Sequence, residues 1–181
     1  MRTIIAGIPG AGKTTVLSEA LKHHRMEVIN YGDVMFEMAR QEGIEKRDDM
    51  RTLPQETQRN IQKRAAEKIA EKEDVIIDTH CTVKTPYGYL PGLPHEVLMI
   101  LRPERIILVE TSPEEIAARR EKDADIRKRD AESIEEMHLH QMMNRMAAMS
   151  YAVLTGATVK IVQNREGKIE EAARELARAL E

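Results

Sequence analysis

The 181-residue sequence has a single cysteine, Cys81. One cysteine excludes an internal disulfide and a four-cysteine zinc site. The sequence also lacks an apolar run near the roughly 20 residues that span a bilayer, so we expect no membrane insertion. Net positive charge is missing too, because the formal net charge is -3 and no basic tail is present. This balance argues against sequence-independent nucleic-acid binding as the main task.

No internal repeat, low-complexity segment or flexible linker divides the chain. With 41% hydrophobic and 33% charged residues, 181 residues suffice for one well-cored domain and are too few for two ordinary ones. We therefore expect a single domain over residues 1–181. The first functional motif already begins at residue 7, so we expect no signal peptide and a cytoplasmic location.

The most informative pattern covers residues 7–14, which read Gly-Ile-Pro-Gly-Ala-Gly-Lys-Thr. An apolar run precedes it and a helix-like stretch follows, which is the context that a phosphate-binding P-loop requires. The glycines let backbone N–H groups surround phosphates, Lys13 can reach the β- and γ-phosphates, and the Thr14 hydroxyl can bind Mg²⁺. The pattern predicts nucleoside triphosphate binding by Gly7, Ile8, Pro9, Gly10, Ala11, Gly12, Lys13, Thr14 and Thr15.

Short apolar runs alternate with longer amphipathic stretches, which is typical of an α/β layer fold with a mostly parallel sheet. We predict five strands, at 2–6, 26–30, 74–78, 105–109 and 158–162. We predict helices at 13–24, 33–43, 54–71, about 94–101, 113–122, about 130–154 and about 167–180. Ser112, followed by Pro113 and Glu115, predicts one capped helix start, and Thr52 before Pro54 predicts a weaker one.

Two further elements accompany a P-loop in phosphoryl-transfer enzymes. Asp78 ends an apolar strand, so it should face the P-loop and hold Mg²⁺, although an aspartate that only caps the next turn is an alternative. Arg119 and Arg120 end one predicted helix, and Arg127 and Arg129 follow soon after. Such a segment can close over a triphosphate and exclude water, or it can be a solvated charged face.

These motifs together resemble the nucleoside monophosphate kinases. Two longer stretches, 79–94 (Thr-His-Cys-Thr-Val-Lys-Thr-Pro, then Gly-Tyr-Leu-Pro-Gly-Leu-Pro) and 148–164, resemble the archaeal-type adenylate kinases, and the similarity covers essentially the whole chain. The resemblance implies a P-loop fold with strand order 2-3-1-4-5, Mg²⁺-dependent phosphoryl transfer from ATP to AMP giving two ADP, and a homotrimer. It also implies an AMP-side helical insertion at about 31–72 and a short lid at about 120–130.

The resemblance is incomplete where AMP should bind. The family's Gly-Asp-x-x-Arg pattern becomes Gly-Asp-Val-Met-Phe at residues 32–36, so Phe36 replaces the arginine that would hold the AMP phosphate. Another cation must substitute, and an arginine fork suits phosphate better than a lysine does. We favour Arg51, with an ordinary surface charge as the alternative for each cation. The candidate acceptor-site residues are Gly32, Arg47, Arg51, His80 and Lys84, of which His80 has a structural hydrogen-bonding role as its alternative.

The long helix predicted at about 130–154 carries an apolar stripe at helical spacing. Such a stripe is more often core than interface, although the resemblance to a trimeric family favours the interface. The stripe consists of Met142, Met146, Met149 and Val153. Residues 162–165 lie where related kinases wrap backbone around the adenine of ATP.

We therefore predict an adenylate kinase in which cations neutralise the transferring phosphoryl group while Thr14 and Asp78 organise Mg²⁺. These cations are Lys13, Arg120, Arg127 and Arg129. No general base is needed, because the AMP phosphate is already an anionic nucleophile. Two alternatives stay open: a kinase for another monophosphate such as CMP or UMP, whose base pocket the sequence does not reveal, and a P-loop ATPase that acts as a regulatory switch.

Overall fold

The computed structural model describes residues 1–122 and 132–181, apart from the Arg51 side chain. Its strands are β1 (Arg2–Ala6), β2 (Glu27–Asn30), β3 (Val75–Asp78), β4 (Thr82–Thr85), β5 (Gly88–Pro91), β6 (Arg105–Glu110) and β7 (Thr158–Gln163). Its helices are α1 (Lys13–His23), α2 (Tyr31–Gln41), α3 (Gln55–Ala70), α4 (His95–Leu101), α5 (Pro113–Lys122), α6 (Ile134–Thr155) and α7 (Ile169–Leu180), with a 3₁₀ turn at Arg47–Thr52.

A five-stranded parallel sheet in the order β2-β3-β1-β6-β7 forms the centre of the fold. When the hairpin strands β4 and β5 are set aside, this is the expected order 2-3-1-4-5. The register aligns Ile5 of β1 with Asp78 of β3, and Asp78 with Asn30 of β2. The carboxyl ends of these three strands therefore meet at one edge, where α/β sheets bind ligands.

Helices cover both faces of the sheet, which explains why its inner strands are apolar without alternation. On one face, α2, α3, α4 and α6 enclose a core that includes Ile4, Ile77 and Leu108. On the other face, α1 and α7 pack over residues that include Ile5 and Ile107. Successive residues of a strand thus pack into the cores on opposite faces of the sheet. Among the described residues, no helix has the length and apolar character needed to cross a membrane.

The antiparallel hairpin of β4 and β5 was not predicted from the sequence. Its register pairs Thr82 with Pro91 and Thr85 with Gly88, so residues 86 and 87 form a tight loop before a glycine with φ of 118°. The hairpin docks on α6 through a hydrogen bond of 2.6 Å from the Thr82 hydroxyl to the Asn144 side-chain oxygen. Polar side chains, rather than an apolar pattern, position this element.

One of the two predicted helix caps is correct. The Ser112 hydroxyl accepts a hydrogen bond of 3.2 Å from the Glu115 backbone N–H at the start of α5. The predicted Thr52 cap is wrong, since α3 begins at Gln55 without a side-chain cap. The Thr52 hydroxyl instead donates to the Asp49 carbonyl, 2.8 Å away, and closes the 3₁₀ turn.

The core assignment of the apolar stripe on α6 is also wrong. The exposed fractions are 43% for Met142, 59% for Met146, 55% for Met149 and 81% for Val153. The opposite side of α6 faces the sheet and buries polar residues, which include Gln141 and Asn144. These side chains are satisfied there, because the Gln141 amide donates to the Thr111 carbonyl at 2.7 Å and Asn144 accepts from Thr82. The buried side of α6 therefore combines these polar side chains with apolar residues such as Ala148 and Tyr151, while the predicted stripe faces outward.

Candidate active site

The loop between β1 and α1 is held in a shape that only glycine permits at two points. A Cβ atom at Gly7 would lie 2.6 Å from the Val109 carbonyl oxygen of β6, so any larger residue would push β1 and β6 apart. Gly12 has a φ of 82°, in the left-handed region, and a Cβ there would collide with the Asn164 amide. Pro9 has no N–H and that of Ala11 donates to the Ile8 carbonyl at 3.1 Å, so the remaining backbone N–H groups of the loop are the ones that can face a phosphate.

Side chains from distant elements hold the carbonyl of Ala11 in this loop. The Asn164 amide donates to it at 2.8 Å, and Arg119 donates at 3.2 Å. Arg119 also donates to the Asn164 carbonyl at 3.0 Å. Asn164 follows β7 and Arg119 lies on α5, so both elements are fastened to the loop. The sequence indicated backbone contacts at 162–165 and an arginine pair, but not this role for either side chain.

The structure brings Lys13 and Asp78 together at the carboxyl edge of the sheet. The Lys13 ammonium forms an ion pair with the Asp78 carboxylate and lies 3.3 Å from the Thr79 carbonyl oxygen. The Asn30 amide donates to the second Asp78 oxygen at 3.3 Å. Asp78 therefore faces the P-loop, as the strand-end position predicted, and its carboxylate is oriented from two sides.

Side-chain oxygen atoms that suit a hard cation such as Mg²⁺ are present on Asp78 and on Thr14, the residue after Lys13. The Asp78 carboxylate lies beside Lys13, and Thr14 is exposed in the first turn of α1. In residues 1–122 and 132–181, no group of three histidine, cysteine or acidic residues could hold a metal ion by itself. The donor set fits Mg²⁺, which is commonly bound by one or two protein oxygens together with substrate phosphates.

On the other side of Asp78, the Asn30 side chain caps α2 by accepting a hydrogen bond of 3.1 Å from the Asp33 N–H. Arg47 forms a 2.6 Å ion pair with Asp33. Its guanidinium lies so close to Gly32 that a Cβ there would collide with it. Partial withdrawal of His80 from water, and then the charge of Lys13, lower the pKa of His80, with a smaller contribution from the charge of Arg47. Arg47 thus lies against Gly32 and within electrostatic reach of His80, whereas the Arg51 side chain lies outside the described part.

Arg120 extends from the end of α5 to the P-loop. Its Nε and Nη2 donate to the Pro9 carbonyl at 3.1 and 2.7 Å, and its Nη1 donates to Glu132 at 2.8 Å. Glu132 also accepts from Lys84 at 3.2 Å, and Lys84 donates to Glu136 at 2.9 Å. Lys84 is therefore engaged by acidic groups at the start of α6. No motif in the sequence indicated Glu132.

Two of the predicted catalytic residues, Arg127 and Arg129, lie outside the described residues, as does most of the lid expected at about 120–130. Four cations were predicted to act on the transferring phosphoryl group, and fewer are seen at the P-loop among the described residues. The cations seen there are Lys13, Arg119 and Arg120.

Comparison with known proteins gives relatives along nearly the entire chain. A family model described as an AAA domain matches residues 6–138. An adenylate kinase of Methanopyrus kandleri is 55% identical, with 95% of this chain and 93% of the relative covered. An adenylate kinase of Methanothermobacter thermautotrophicus is 53% identical, covering 98% of both chains. An adenylate kinase of Thermoplasma volcanium is 46% identical, covering 99% of both chains.

Solved structures of similar fold include two shikimate kinases. The one from Aquifex aeolicus has a TM-score of 0.57 at 18% identity and covers 99% of this chain and 96% of its own. The one from Bacteroides thetaiotaomicron has a TM-score of 0.61 at 17% identity and covers 99% of this chain and 98% of its own. At such identities the likeness concerns the fold alone.

Gly12→Ala should weaken nucleotide binding, and Gly43→Ala is its matched control. Gly12 and Gly43 have φ angles of 82° and 84°, so alanine adds the same left-handed backbone cost of about 1–2 kcal/mol at either site. Only at Gly12 does the new methyl group meet a neighbour, the Asn164 amide, since nothing lies within 4 Å of a Cβ at Gly43.

We expect Gly12→Ala to lose about 1 kcal/mol more unfolding free energy than Gly43→Ala, and at least about tenfold in triphosphate affinity. Denaturant titration and isothermal calorimetry with a non-hydrolysable ATP analogue measure the two quantities. Equal losses in both variants would contradict the assigned contact.

Proposed function

The chain belongs to the adenylate kinase family, and we propose that it transfers a phosphoryl group from Mg²⁺-bound ATP to AMP, giving two ADP, in the cytoplasm. The observation that carries this proposal is the ion pair of Lys13 and Asp78, which lies between the P-loop and the hydrogen-bonded groups Asn30, Asp33 and Arg47. A donor phosphate on the loop and an acceptor phosphate beside Arg47 would approach each other from opposite sides of this pair. In-line transfer requires that arrangement.

On the donor side, the P-loop N–H groups would bind the triphosphate and Lys13 would contact the β- and γ-phosphates. Asp78 and Thr14 would hold Mg²⁺, which when bound neutralises charge that develops on the phosphate oxygens. Arg120 already lies against the loop and would contribute a second cation to the transferring group. We keep Arg127 and Arg129 as proposed lid residues with the same task.

On the acceptor side, we propose that Arg47 holds the AMP phosphate and that Arg51 is the second candidate. The position of Arg47 against Gly32, with Asp33 as its counter-ion, supports this choice. The helical segment at about 31–72 then forms the acceptor side of the domain. Lys84 is a weaker candidate, since two carboxylates, Glu132 and Glu136, engage its ammonium group, whereas the ion pair described for Arg47 involves one carboxylate, Asp33.

The first experiment mixes the protein with ATP, Mg²⁺ and AMP, CMP, UMP, GMP or no acceptor, and separates the products by chromatography. Two ADP formed per AMP consumed would support the proposal. Faster transfer to CMP or UMP would establish another monophosphate kinase, and phosphate release independent of acceptor would establish an ATPase.

Lys13→Met should lower the kcat for ADP formation by about 100-fold or more, because a charge positioned at the transferring phosphoryl group is lost. Lys22→Met is the control, since Lys22 lies on the same helix and forms an exposed ion pair with Glu19. We expect the control to keep full activity and both variants to retain wild-type circular dichroism. Near-normal turnover of Lys13→Met would exclude the proposed mechanism.

Arg47→Gln should raise the KM for AMP about tenfold or more while the KM for ATP stays within about threefold, since a charge-assisted phosphate contact is lost on one side only. Arg64→Gln is the control, because it removes an arginine of the same segment that contacts Glu42 and Gln41 and not Asp33 or Gly32. Steady-state kinetics with each substrate varied in turn gives both constants. An unchanged KM for AMP in Arg47→Gln would transfer the role to Arg51.

We also propose that the protein is a homotrimer that associates through the exposed stripe of α6, defined by Met142, Met146, Met149 and Val153. Leu139, 43% exposed, lies on the same side of the helix and widens the apolar surface. Contiguous exposed apolar area of this kind is typical of association surfaces. Methionine suits such a surface because its flexible side chain adapts to a partner.

Met146→Glu should shift the protein towards the monomer, because association would bury an unpaired charge. Leu90→Glu, at a position 57% exposed on the hairpin, is a control of equal chemistry away from the stripe. Sedimentation velocity at several concentrations distinguishes the states. A Met146→Glu protein that sediments like the wild type would contradict the proposed surface.

A further inference from the structure

Glu132 is a largely buried carboxylate that joins two cations from separate elements. Its exposed side-chain fraction is 10%, and that of its partner Arg120 is 11%. One carboxylate oxygen accepts from Arg120 at 2.8 Å, and the other accepts from Lys84 at 3.2 Å. Each oxygen thus serves a different cation, one from the end of α5 and one from the hairpin strand β4.

The guanidinium of Arg120 is fixed on two sides. Its Nε and Nη2 donate to the Pro9 carbonyl of the P-loop, while Nη1 donates to Glu132. An arginine held at both edges has one orientation beside the loop. A pre-oriented cation loses little freedom when charge develops on a neighbouring phosphate, which is how positioning lowers a barrier.

Within residues 1–122 and 132–181, the basic side chains that lie within 4 Å of the Glu132 carboxylate are Arg120, Lys84 and His140. Burial alone would raise the pKa of Glu132, but hydrogen bonds from Arg120 and Lys84 outweigh it, so its pKa lies below the ordinary value. His140 lies 3.8 Å away, and burial lowers the pKa of this imidazole. Near neutral pH the single negative charge of Glu132 therefore acts on Arg120 and Lys84 and not on an imidazolium.

We propose that Glu132 is a positioning residue for phosphoryl transfer, which holds Arg120 against the P-loop and keeps Lys84 beside it. Glu132 itself contacts no reacting atom and acts through Arg120. The inference rests on the proposed role of Arg120 in neutralising the transferring group. Without the carboxylate, Arg120 would lose the ion pair that fixes one edge of its guanidinium, whereas Lys84 would keep its pair with Glu136.

Glu132→Gln tests this role with little change in volume. Glutamine offers one acceptor oxygen, and its amide nitrogen is a donor, so it can satisfy only one of the two cations. We expect kcat to fall about 10- to 100-fold, because Arg120 is misplaced, while the KM for ATP changes by less than about threefold.

Glu136→Gln is the matched control. Glu136 also binds Lys84, but it does not contact Arg120, and its place in the capping box with Ser133 tolerates glutamine. We expect kcat of this control within about threefold of the wild type. A loss as large as that of Glu132→Gln would show that the charge on Lys84, and not the position of Arg120, is responsible, and would overturn the inference.

A double-mutant cycle with Arg120→Ala separates this inference from the proposed function. If Glu132 acts through Arg120, then Glu132→Gln should change kcat by less than about threefold once Arg120 is gone. Full activity of Arg120→Ala would remove the proposed role of Arg120 itself. An impaired Arg120→Ala together with an unaffected or faster Glu132→Gln, or equal losses in both backgrounds, would overturn the role of Glu132 alone.

Glu132→Asp provides a second test if the glutamine variant folds poorly. Aspartate keeps both acceptor oxygens on a shorter side chain, so its kcat should exceed that of Glu132→Gln whatever the two melting temperatures are. The reverse order would mean that side-chain packing rather than charge is required, which would also contradict the proposal.

Discussion

A loop that directs its N–H groups towards a phosphate must direct carbonyl groups elsewhere, and these carbonyls need donors of their own. In this protein the carbonyl of Ala11 receives Asn164 and Arg119, and that of Pro9 receives Arg120. The loop is therefore fastened to α5 and to the end of β7. The cations around the phosphate site belong to the same network that gives the loop its shape.

The parallel sheet extends this organisation to the proposed acceptor side. Because Ile5, Asp78 and Asn30 share one register level, the end of β1 lies beside the ends of β3 and β2. Asn30 uses both ends of its amide, one to cap α2 and one to orient Asp78. Asn30 thus links Asp78, the proposed Mg²⁺ ligand, to the start of α2 on the proposed acceptor side, and strand register rather than loop conformation sets their separation.

Local sequence patterns were sufficient to predict most of the fold. Apolar runs located the strands of the main sheet, and the cap at Ser112 placed α5 correctly, because both signals act over a few residues. The hairpin of β4 and β5 was missed because its contacts to α6 connect residues far apart in sequence. Periodicity also misjudged α6, since an apolar stripe has the same spacing whether a core or another chain covers it.

The residues of the candidate site also divide into those that local patterns predict and those that depend on long-range contacts. The P-loop and Asp78 could be found from spacing and strand ends, whereas Glu132, Asn164 and the contact of Arg119 depend on distant partners that no short motif encodes. Arg47 was one cation among several in the sequence and becomes distinct only through its position over Gly32.

The hydrogen bonds on the buried side of α6 have a consequence for how tightly the positions of its two sides are specified. Gln141, Asn144 and Tyr151 each match a partner at one height along the helix, so a shift by one turn would strand several hydrogen-bonding groups at once. The apolar stripe on the outer side imposes no such hydrogen-bond pattern, so neighbours of many sequences can pack on it. The inner side of the helix thus permits one position along the axis, whereas the outer side restricts its neighbours little. Related chains could therefore change the partner or the association geometry on the outer side of α6 while the fold stayed the same.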